Sequence, residues 1–205
     1  MKQILILSAL AASLAFASAC SSATETTTAN KTATTNTTAA NTAANNTANA
    51  NKADDTPAAI KAVFPDAQSF TTQHKDVPAD KIASIEKDTS SKVPDKDHHS
   101  YLAFSTAGGA RKQIGAATIV KAGGKDVVIV YDNKDGSPII KEIRAEGVPA
   151  PFLTQFAGKG HDDDLLLGAD IKASGANEAQ AKAITEAVRV DVLTMQALYG
   201  AAHKH

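Results

Sequence analysis

The fold is decided by residues 112–146, which read KQIGAATIVKAGGKDVVIVYDNKDGSPIIKEIRAE. Three parts of this stretch have the alternation or the β-branched apolar content that is typical of strands: residues 112–121, 126–131 and 139–146. Turn-forming residues separate the three parts, with AGG at 122–124 and NKDG at 133–136. Three strands joined by two tight turns predict an antiparallel meander.

Helical patterns stand on both sides of this meander. The upstream elements are predicted as two helices and a short strand, at residues 57–64, 78–88 and 100–104. The downstream elements are predicted as a short helix, a loop and a long helix, at residues 150–157, 159–174 and 178–198. Apolar residues of the long helix recur at spacings of three and four, namely Ile184, Ala187, Val188, Val192, Met195 and Tyr199. We therefore predict an α+β fold, in which an antiparallel β-meander packs with short helices and a long C-terminal helix.

Composition limits what the domain at residues 57–205 can do. The net charge of the chain is −1, so we expect no nucleic-acid partner. Trp is absent and aromatic residues make up 4%, so the core is built mainly from Ile, Leu, Val and Ala. Cys20 is the only cysteine, which excludes a disulfide or a thiolate metal site from the domain. No nucleophile motif such as Gly-x-Ser-x-Gly is present, and we assign no catalytic residue.

The N-terminus has the pattern of an export signal. Residues 1–19 combine a lysine at position 2, an apolar run at 4–16 and small residues before Cys20. The run is shorter than the roughly 20 residues that cross a bilayer. The junction resembles the lipobox of bacterial lipoproteins, with Ala17 where Leu is favoured. This resemblance implies that Cys20 is lipidated and holds the chain on a membrane of the cell envelope; an ordinary signal peptide that leaves a free thiol is the alternative.

A tether is predicted between the anchor and the domain, so that residues 20–56 comprise the lipidated cysteine and a disordered spacer. Twelve Thr, ten Ala and seven Asn make up 29 of the 36 residues at 21–56. Such a segment cannot bury enough apolar area to offset the entropy lost on ordering. A flexible chain of this length has an end-to-end distance of roughly 35 Å. We interpret its Asn-x-Thr triplets as a result of composition rather than as glycan sites.

Several segments of the domain resemble the bacterial FMN-binding domain family. Three of them carry most of the resemblance: FLTQFAGK at 152–159, LLLGADI at 165–171, and Ser174, Gly175 and Ala176 at the opening of the long helix, where the family has a Ser/Thr-Gly-Ala-Thr motif. Two more fit small exported relatives: FPDAQSF at 64–70 and the strand at 115–120. The resemblance covers about residues 57–199. The family includes the flavin-carrying domains of the Rnf and Nqr electron-transport complexes.

The resemblance implies where a flavin would bind. Ser174, Gly175, Ala176 and Asn177 would form the phosphate loop, with Lys159 as a weaker contact. Glycine permits close approach of backbone to a ligand, and a helix N-terminus directs N–H groups and a positive dipole end at an anion. The family's motif threonine receives FMN through a phosphoester bond, but Asn177 stands at that position and its amide has no hydroxyl. We therefore expect FMN to be bound non-covalently or to be absent.

Asn177 also has a purely structural interpretation. Asn is a favoured residue at the position that caps a helix N-terminus, and Gln180 lies three residues further on, as in a capping box. A residue that caps the helix needs no ligand to explain it.

Two hypotheses of function follow from these observations. The first is a membrane-anchored, extracytoplasmic electron carrier that holds FMN beside a membrane redox protein. The second is a degenerate relative without flavin that serves as an interaction or accessory module of the envelope, which Asn177 favours. A third alternative is a metal binder that uses His161 with the three aspartates at 162–164. We interpret that segment as a solvated acidic loop and assign no metal site.

Other polar residues near strand ends are weaker candidates. His98 and His99 stand just before the short strand predicted at 100–104, and Arg111 and Lys112 stand at the start of the meander, where a phosphate could meet them. A solvated sheet edge explains the basic pair equally well. The tail at 203–205 reads HKH, which is too short to predict a strong metal site.

Overall fold

The computed structural model describes residues 55–201. The helices are α1 (Ala58–Val63), α2 (Ala79–Thr89), α3 (Ala150–Leu153) and α4 (Glu178–Tyr199), and a 3-10 turn (Thr154–Phe156) directly follows α3. The strands are β1 (Ser69–Asp76), β2 (Asp97–Ser105), β3 (Lys112–Ala122), β4 (Lys125–Lys134) and β5 (Ser137–Ala145). The predicted signal peptide at 1–19, Cys20, the tether up to residue 54 and the tail at 202–205 lie outside the described residues.

The five strands form one antiparallel sheet in chain order, β1-β2-β3-β4-β5. The predicted meander corresponds to β3, β4 and β5. Two-residue turns join these strands, because Ala122 pairs with Lys125 and Lys134 pairs with Ser137. Both central residues of each turn have positive φ, as in the type I′ turns that suit the twist of a hairpin. The α+β fold predicted from the sequence is confirmed.

Each face of the sheet packs against a different helix. On one side, here called the α4 face, Ile129, Ile140 and other β4 and β5 side chains pack with the buried stripe of α4 and with α3. On the other side, here called the α1 face, Val128 and Val130 pack with Ile60 and neighbours in α1. β4 is therefore buried on both faces over five consecutive residues, 127–131. This double burial explains why its sequence is a continuous apolar run instead of an alternating one.

The long C-terminal helix follows the predicted stripe. Ile184, Val188, Val192 and Met195 are buried on the α4 face, and Ala187 and Tyr199 pack at its margin. The helix begins at Glu178 as predicted and ends at Tyr199, one residue beyond the prediction. Within residues 55–201, no helix combines the length and the apolar character needed to cross a membrane.

Two features of the strands differ from the sequence prediction. β1 was not predicted, because its sequence SFTTQHKD is mostly polar and contains no fully buried residue. It is an edge strand, and its backbone pairing with β2 over eight residues holds it in the sheet. β2 begins at Asp97, so His98 and His99 lie inside the strand and not before it. Their side chains consequently point to opposite faces of the sheet.

The contact of α1 with the sheet depends on a missing side chain at Gly115. A Cβ at this position would lie 2.5 Å from Cε1 of Phe64, a ring that is itself buried. We expect Gly115→Ala to lower the free energy of unfolding by about 1–3 kcal/mol, because the ring has to move out of a packed site. Gly108→Ala is the matched control, since no atom lies within 4 Å of a Cβ there, and we expect a change within about 0.5 kcal/mol. Urea unfolding measures the free energy of unfolding of both variants. Equal losses in the two would contradict the close packing of Phe64 against Gly115.

Candidate functional site

The loop before α4 is a tight turn that carries the predicted phosphate residues. Ser174 and Gly175 both have positive φ, at 46° and 87°, and the N–H of Ala176 donates to the carbonyl of Ala173 at 2.8 Å. Positive φ is unusual for a residue other than glycine, so Ser174 needs local support. Ser174, Gly175 and Asn177 are exposed, and Ala176 is half-buried. We call residues 174–177 the 174–177 loop.

Gln155 supplies that support and connects two of the segments identified in the sequence. Its Nε2 donates to Ser174 Oγ at 3.0 Å and to the carbonyl of Lys172 at 2.8 Å. Its Oε1 accepts from the N–H of Lys172 at 2.9 Å. Gln155 lies in the 3-10 turn after α3, within the segment FLTQFAGK. The structure therefore brings that segment and the 174–177 loop to one place.

Asn177 caps α4, as the sequence predicts. Its side-chain oxygen accepts from the N–H groups of Ala179 and Gln180, at 3.0 and 3.4 Å. Two of the donors that a helix N-terminus leaves unpaired are thereby occupied. In the described part of the chain, the backbone N–H groups of Gly175, Asn177 and Glu178 donate to no protein acceptor. An anion at this helix start would have to use these remaining donors, and it would meet the carboxylate of Glu178 in the first turn.

Lys159 is engaged elsewhere. Its Nζ lies 3.3 Å from Asp163 Oδ1, and the other oxygen of Asp163 accepts from the N–H of Gly160 at 2.9 Å. Its side chain is 23% exposed. Among the described residues, no hydrogen bond or ion pair joins Lys159 to the 174–177 loop. The structure brings together Ser174, Gly175, Ala176 and Asn177 and leaves Lys159 in a separate turn.

His161 and its acidic neighbours line a cleft of about 290 Å³ between their loop and α4, to which Arg189 also contributes. His161 Nε2 lies 3.1 Å from Asp162 Oδ1, and the Asp162 side chain is 85% exposed. Asp163 instead folds back onto Gly160 and Lys159. Within residues 55–201, the ligand atoms of His161 and the aspartates do not form a group of three within 4.8 Å of one another. Asp163 and His161 thus interact with other residues of their own loop.

A buried polar cluster that was not predicted lies between α4 and the sheet. Asp191, on α4, is 4% exposed, and its Oδ2 accepts from Thr118 Oγ1 at 2.6 Å and from Tyr131 Oη at 2.7 Å. Its Oδ1 lies 3.0 Å from His98 Nε2. One carboxylate thus connects the helix to β2, β3 and β4. We call these four residues the Asp191 cluster.

The sequence carried a faint signal for this cluster. Asp191 stands three residues after Val188 and seven after Ile184, which places a carboxylate within the buried stripe of α4. A buried carboxylate needs hydrogen-bond donors, but only the strand register identifies Thr118, Tyr131 and His98 as those donors. The other ring nitrogen of His98, Nδ1, is buried and has no hydrogen-bond partner.

The surroundings of two tyrosines oppose their ionisation. Burial raises the pKa of Tyr131 well above its ordinary value of 10.0, and the nearby charge of Asp191 and the hydrogen bond to that carboxylate raise it further. Burial also raises the pKa of Tyr199, although the hydrogen bond with Ser100 offsets part of the effect. Both phenols therefore stay neutral through the physiological range, and Tyr131 acts as a hydrogen-bond donor.

Comparisons with known proteins provide no relative for this chain: no protein-family model, no curated protein and no solved structure matches it.

Removing the Asp191 carboxylate should destabilise the domain strongly. In Asp191→Ala, the hydroxyls of Thr118 and Tyr131 lose their acceptor inside the protein, and we expect a loss of about 3–5 kcal/mol in the free energy of unfolding. Glu186→Ala on the same helix is the control, because Glu186 is half-exposed and its 3.9 Å ion pair with Lys182 is worth less than about 1 kcal/mol. Chemical denaturation of both variants measures the difference, and similar losses would contradict a role for the cluster in stability.

The raised pKa of Tyr131 predicts a loss of stability at alkaline pH. An acid whose pKa is raised on folding contributes its full stabilisation below the unfolded pKa, near 10.0, and loses it as pH rises toward the folded pKa. We expect the free energy of unfolding to fall between about pH 9 and 11, and to fall less steeply in Tyr131→Phe. Tyr199→Phe should reduce the slope less, because Tyr199 is only partly buried. If the free energy of unfolding fell with pH as steeply in Tyr131→Phe as in the original protein, the raised pKa of Tyr131 would not be the cause.

Proposed function

We propose that this chain is a lipid-anchored, extracytoplasmic protein whose α+β domain binds FMN non-covalently and passes electrons to a redox protein of the same membrane. One observation carries the proposal: Gln155 hydrogen-bonds to Ser174 and Lys172, so that two segments resembling the FMN-binding domain family meet at the start of α4. When bound, the flavin supplies the redox chemistry, while the chain holds and orients it.

The start of α4 offers groups that suit the phosphate of FMN. The N–H groups of Gly175, Asn177 and Glu178 have no acceptor in the described part of the chain, and the Ser174 hydroxyl is on the same turn. α4 is 22 residues long, and the positive end of its dipole lies at this turn. The carboxylate of Glu178 opposes part of this attraction, so we expect weaker binding than at a neutral helix start.

The anchor and tether set where such a carrier would work. Lipidation of Cys20 would fix the chain to the outer surface of a membrane, and residues 21–56, as a flexible spacer, would separate the domain from the anchor by roughly 35 Å on average. That reach suits transient contact with a neighbouring membrane redox protein. The net charge of −1 supplies no attraction for nucleic acid.

A second candidate function is an accessory or interaction module of the cell envelope that has kept the fold and lost the flavin. The specific observation in its favour is the hydrogen bonding of Asn177, whose side chain occupies the N–H groups of Ala179 and Gln180. A helix start that is already capped from within the chain needs no phosphate to satisfy it. The two candidates differ in whether the purified protein is yellow.

The absorption spectrum of the full chain, after incubation with FMN and desalting, tests the first proposal. We expect a retained flavin band that acid precipitation releases. Asn177→Asp should weaken FMN binding about tenfold or more, equivalent to about 1.4 kcal/mol, because a carboxylate at the loop repels the phosphate. Asn177→Ser is the matched control, since Ser and Asp both cap helices well and only Asp adds charge.

The possible outcomes separate the hypotheses. A colourless protein that leaves flavin fluorescence unchanged would refute the electron carrier and leave the accessory module. A flavin band that survives denaturation would refute non-covalent binding. Equal FMN affinity in Asn177→Asp and Asn177→Ser, with unchanged unfolding midpoints, would place the phosphate away from the 174–177 loop.

A further inference from the structure

The paired edge strands β1 and β2 bring two histidines and a carboxylate together on the α1 face of the sheet. His74 and His99 are directly opposite each other in the register, and Asp97 stands two residues before His99 on the same face. Asp97 Oδ2 lies 3.2 Å from His74 Nδ1 and 3.0 Å from His99 Nε2. We call these residues the His74/Asp97/His99 cluster.

The distances from Asp97 Oδ2 to the two imidazole nitrogens are close to those that a small metal ion requires. A tetrahedral ion with bonds of about 2.0–2.1 Å holds neighbouring ligand atoms about 3.3 Å apart. The three ligand atoms of the cluster all lie within 4.8 Å of one another, and the cluster is the one group of three ligand residues found within residues 55–201. Two imidazoles and one carboxylate suit zinc and its neighbours in the first transition series better than calcium or magnesium.

The cluster is open to solvent and held by the sheet. The side chains of His74, Asp97 and His99 are 57%, 39% and 47% exposed, which leaves room for an ion to enter and to keep a water molecule. β1 and β2 are paired continuously through this region, from Ser69 with Phe104 to Asp76 with Asp97. The backbone ladder therefore fixes how far apart the two strands present their ligands.

The charges around the cluster favour a cation. Asp76 is the direct cross-strand neighbour of Asp97 and adds a second carboxylate at this end of the sheet. The nearest lysine in β1, Lys75, points to the opposite face, where its Nζ donates to the carbonyl of Leu198 at 3.1 Å and lies 4.2 Å from the centre of the Tyr199 ring. That ammonium is therefore not available to neutralise the carboxylates.

Without an ion, the same atoms can form hydrogen bonds, with each imidazole donating to the carboxylate. An ionised carboxylate and neutral imidazoles are the forms that bind metal. Binding would replace the two N–H···O contacts with metal–nitrogen bonds from His74 Nδ1 and His99 Nε2. Each of these nitrogens would lose its proton to water, and the other nitrogen of the ring would take one up, so that the imidazole stays neutral.

We propose that His74, Asp97 and His99 form a binding site for a divalent transition-metal ion, represented by Zn²⁺, with at least one coordination position left to water. The site is distinct from the 174–177 loop and from the acidic loop at His161. By linking β1 to β2, a bound ion stabilises the edge strand that has no fully buried residue of its own.

The test is a calorimetric titration of the chelator-treated full chain with Zn²⁺. The thermal midpoint is measured with and without the ion. The background carries His203→Ala and His205→Ala, which removes the histidines of the tail as competing ligands. We expect one Zn²⁺ per chain and a rise in the thermal midpoint on binding. His74→Ala, His99→Ala and Asp97→Asn should each weaken binding at least about 10-fold, since even the loss of a ligand's supporting partner costs 10- to 100-fold.

His161→Ala is the matched control, and it should leave both the affinity and the midpoint shift unchanged. Because His74 and His99 are exposed, their replacement should leave the metal-free thermal midpoint close to that of the background protein. Saturable binding that all three cluster variants weaken supports the site. The absence of saturable heat, equal affinity in the cluster variants, or a loss confined to His161→Ala would overturn it.

Discussion

The structure depends on how α4 packs against the sheet. Ile184, Val188 and Val192 bury the helix against β4 and β5, and this burial supplies most of the driving force. The packed apolar side chains hold the helix in place, and the buried carboxylate adds a further constraint on its position, because burial of the charge is costly unless donors meet it. Asp191 finds those donors at Thr118, Tyr131 and His98, on three different strands.

The same packing determines which residues contact the two ends of the helix. At its start, Asn177 caps the first turn, and Gln155 holds the preceding turn through Ser174. At its end, the carbonyl of Leu198 and the ring of Tyr199 hold Lys75 of β1 on the α4 face. The loop proposed to bind flavin therefore directly precedes α4, and Lys75, the neighbour of His74 in the proposed metal site, contacts the other end of the helix.

The sequence was most informative where local pattern and tertiary environment agree. β3, β4 and β5 were predictable because their turns require positive φ and carry residues that tolerate it, and α4 was predictable from its stripe and its Asn177 cap. β1 was not, because a polar edge strand is held by backbone pairing with β2, and backbone groups are the same in every sequence. His98 and His99 were misplaced for the same reason, since β2 extends as far as β1 pairs with it.

Residue types and local patterns were enough to predict the α+β class, the order of most elements, the cap of α4 and the exclusion of thiol chemistry from the domain. These features follow from residue types and from the spacing of apolar residues, with a period of two in strands and 3.6 in helices. Such patterns involve only residues that are close along the chain. Three contacts could be seen only in the folded chain: the hydrogen bond of Gln155 with Ser174, the hydrogen bonds of Asp191 with residues of three strands, and the 3.2 Å distance between His74 Nδ1 and Asp97 Oδ2. Those contacts join residues distant along the chain, and their geometry depends on strand register and helix rotation, which no short stretch of sequence encodes.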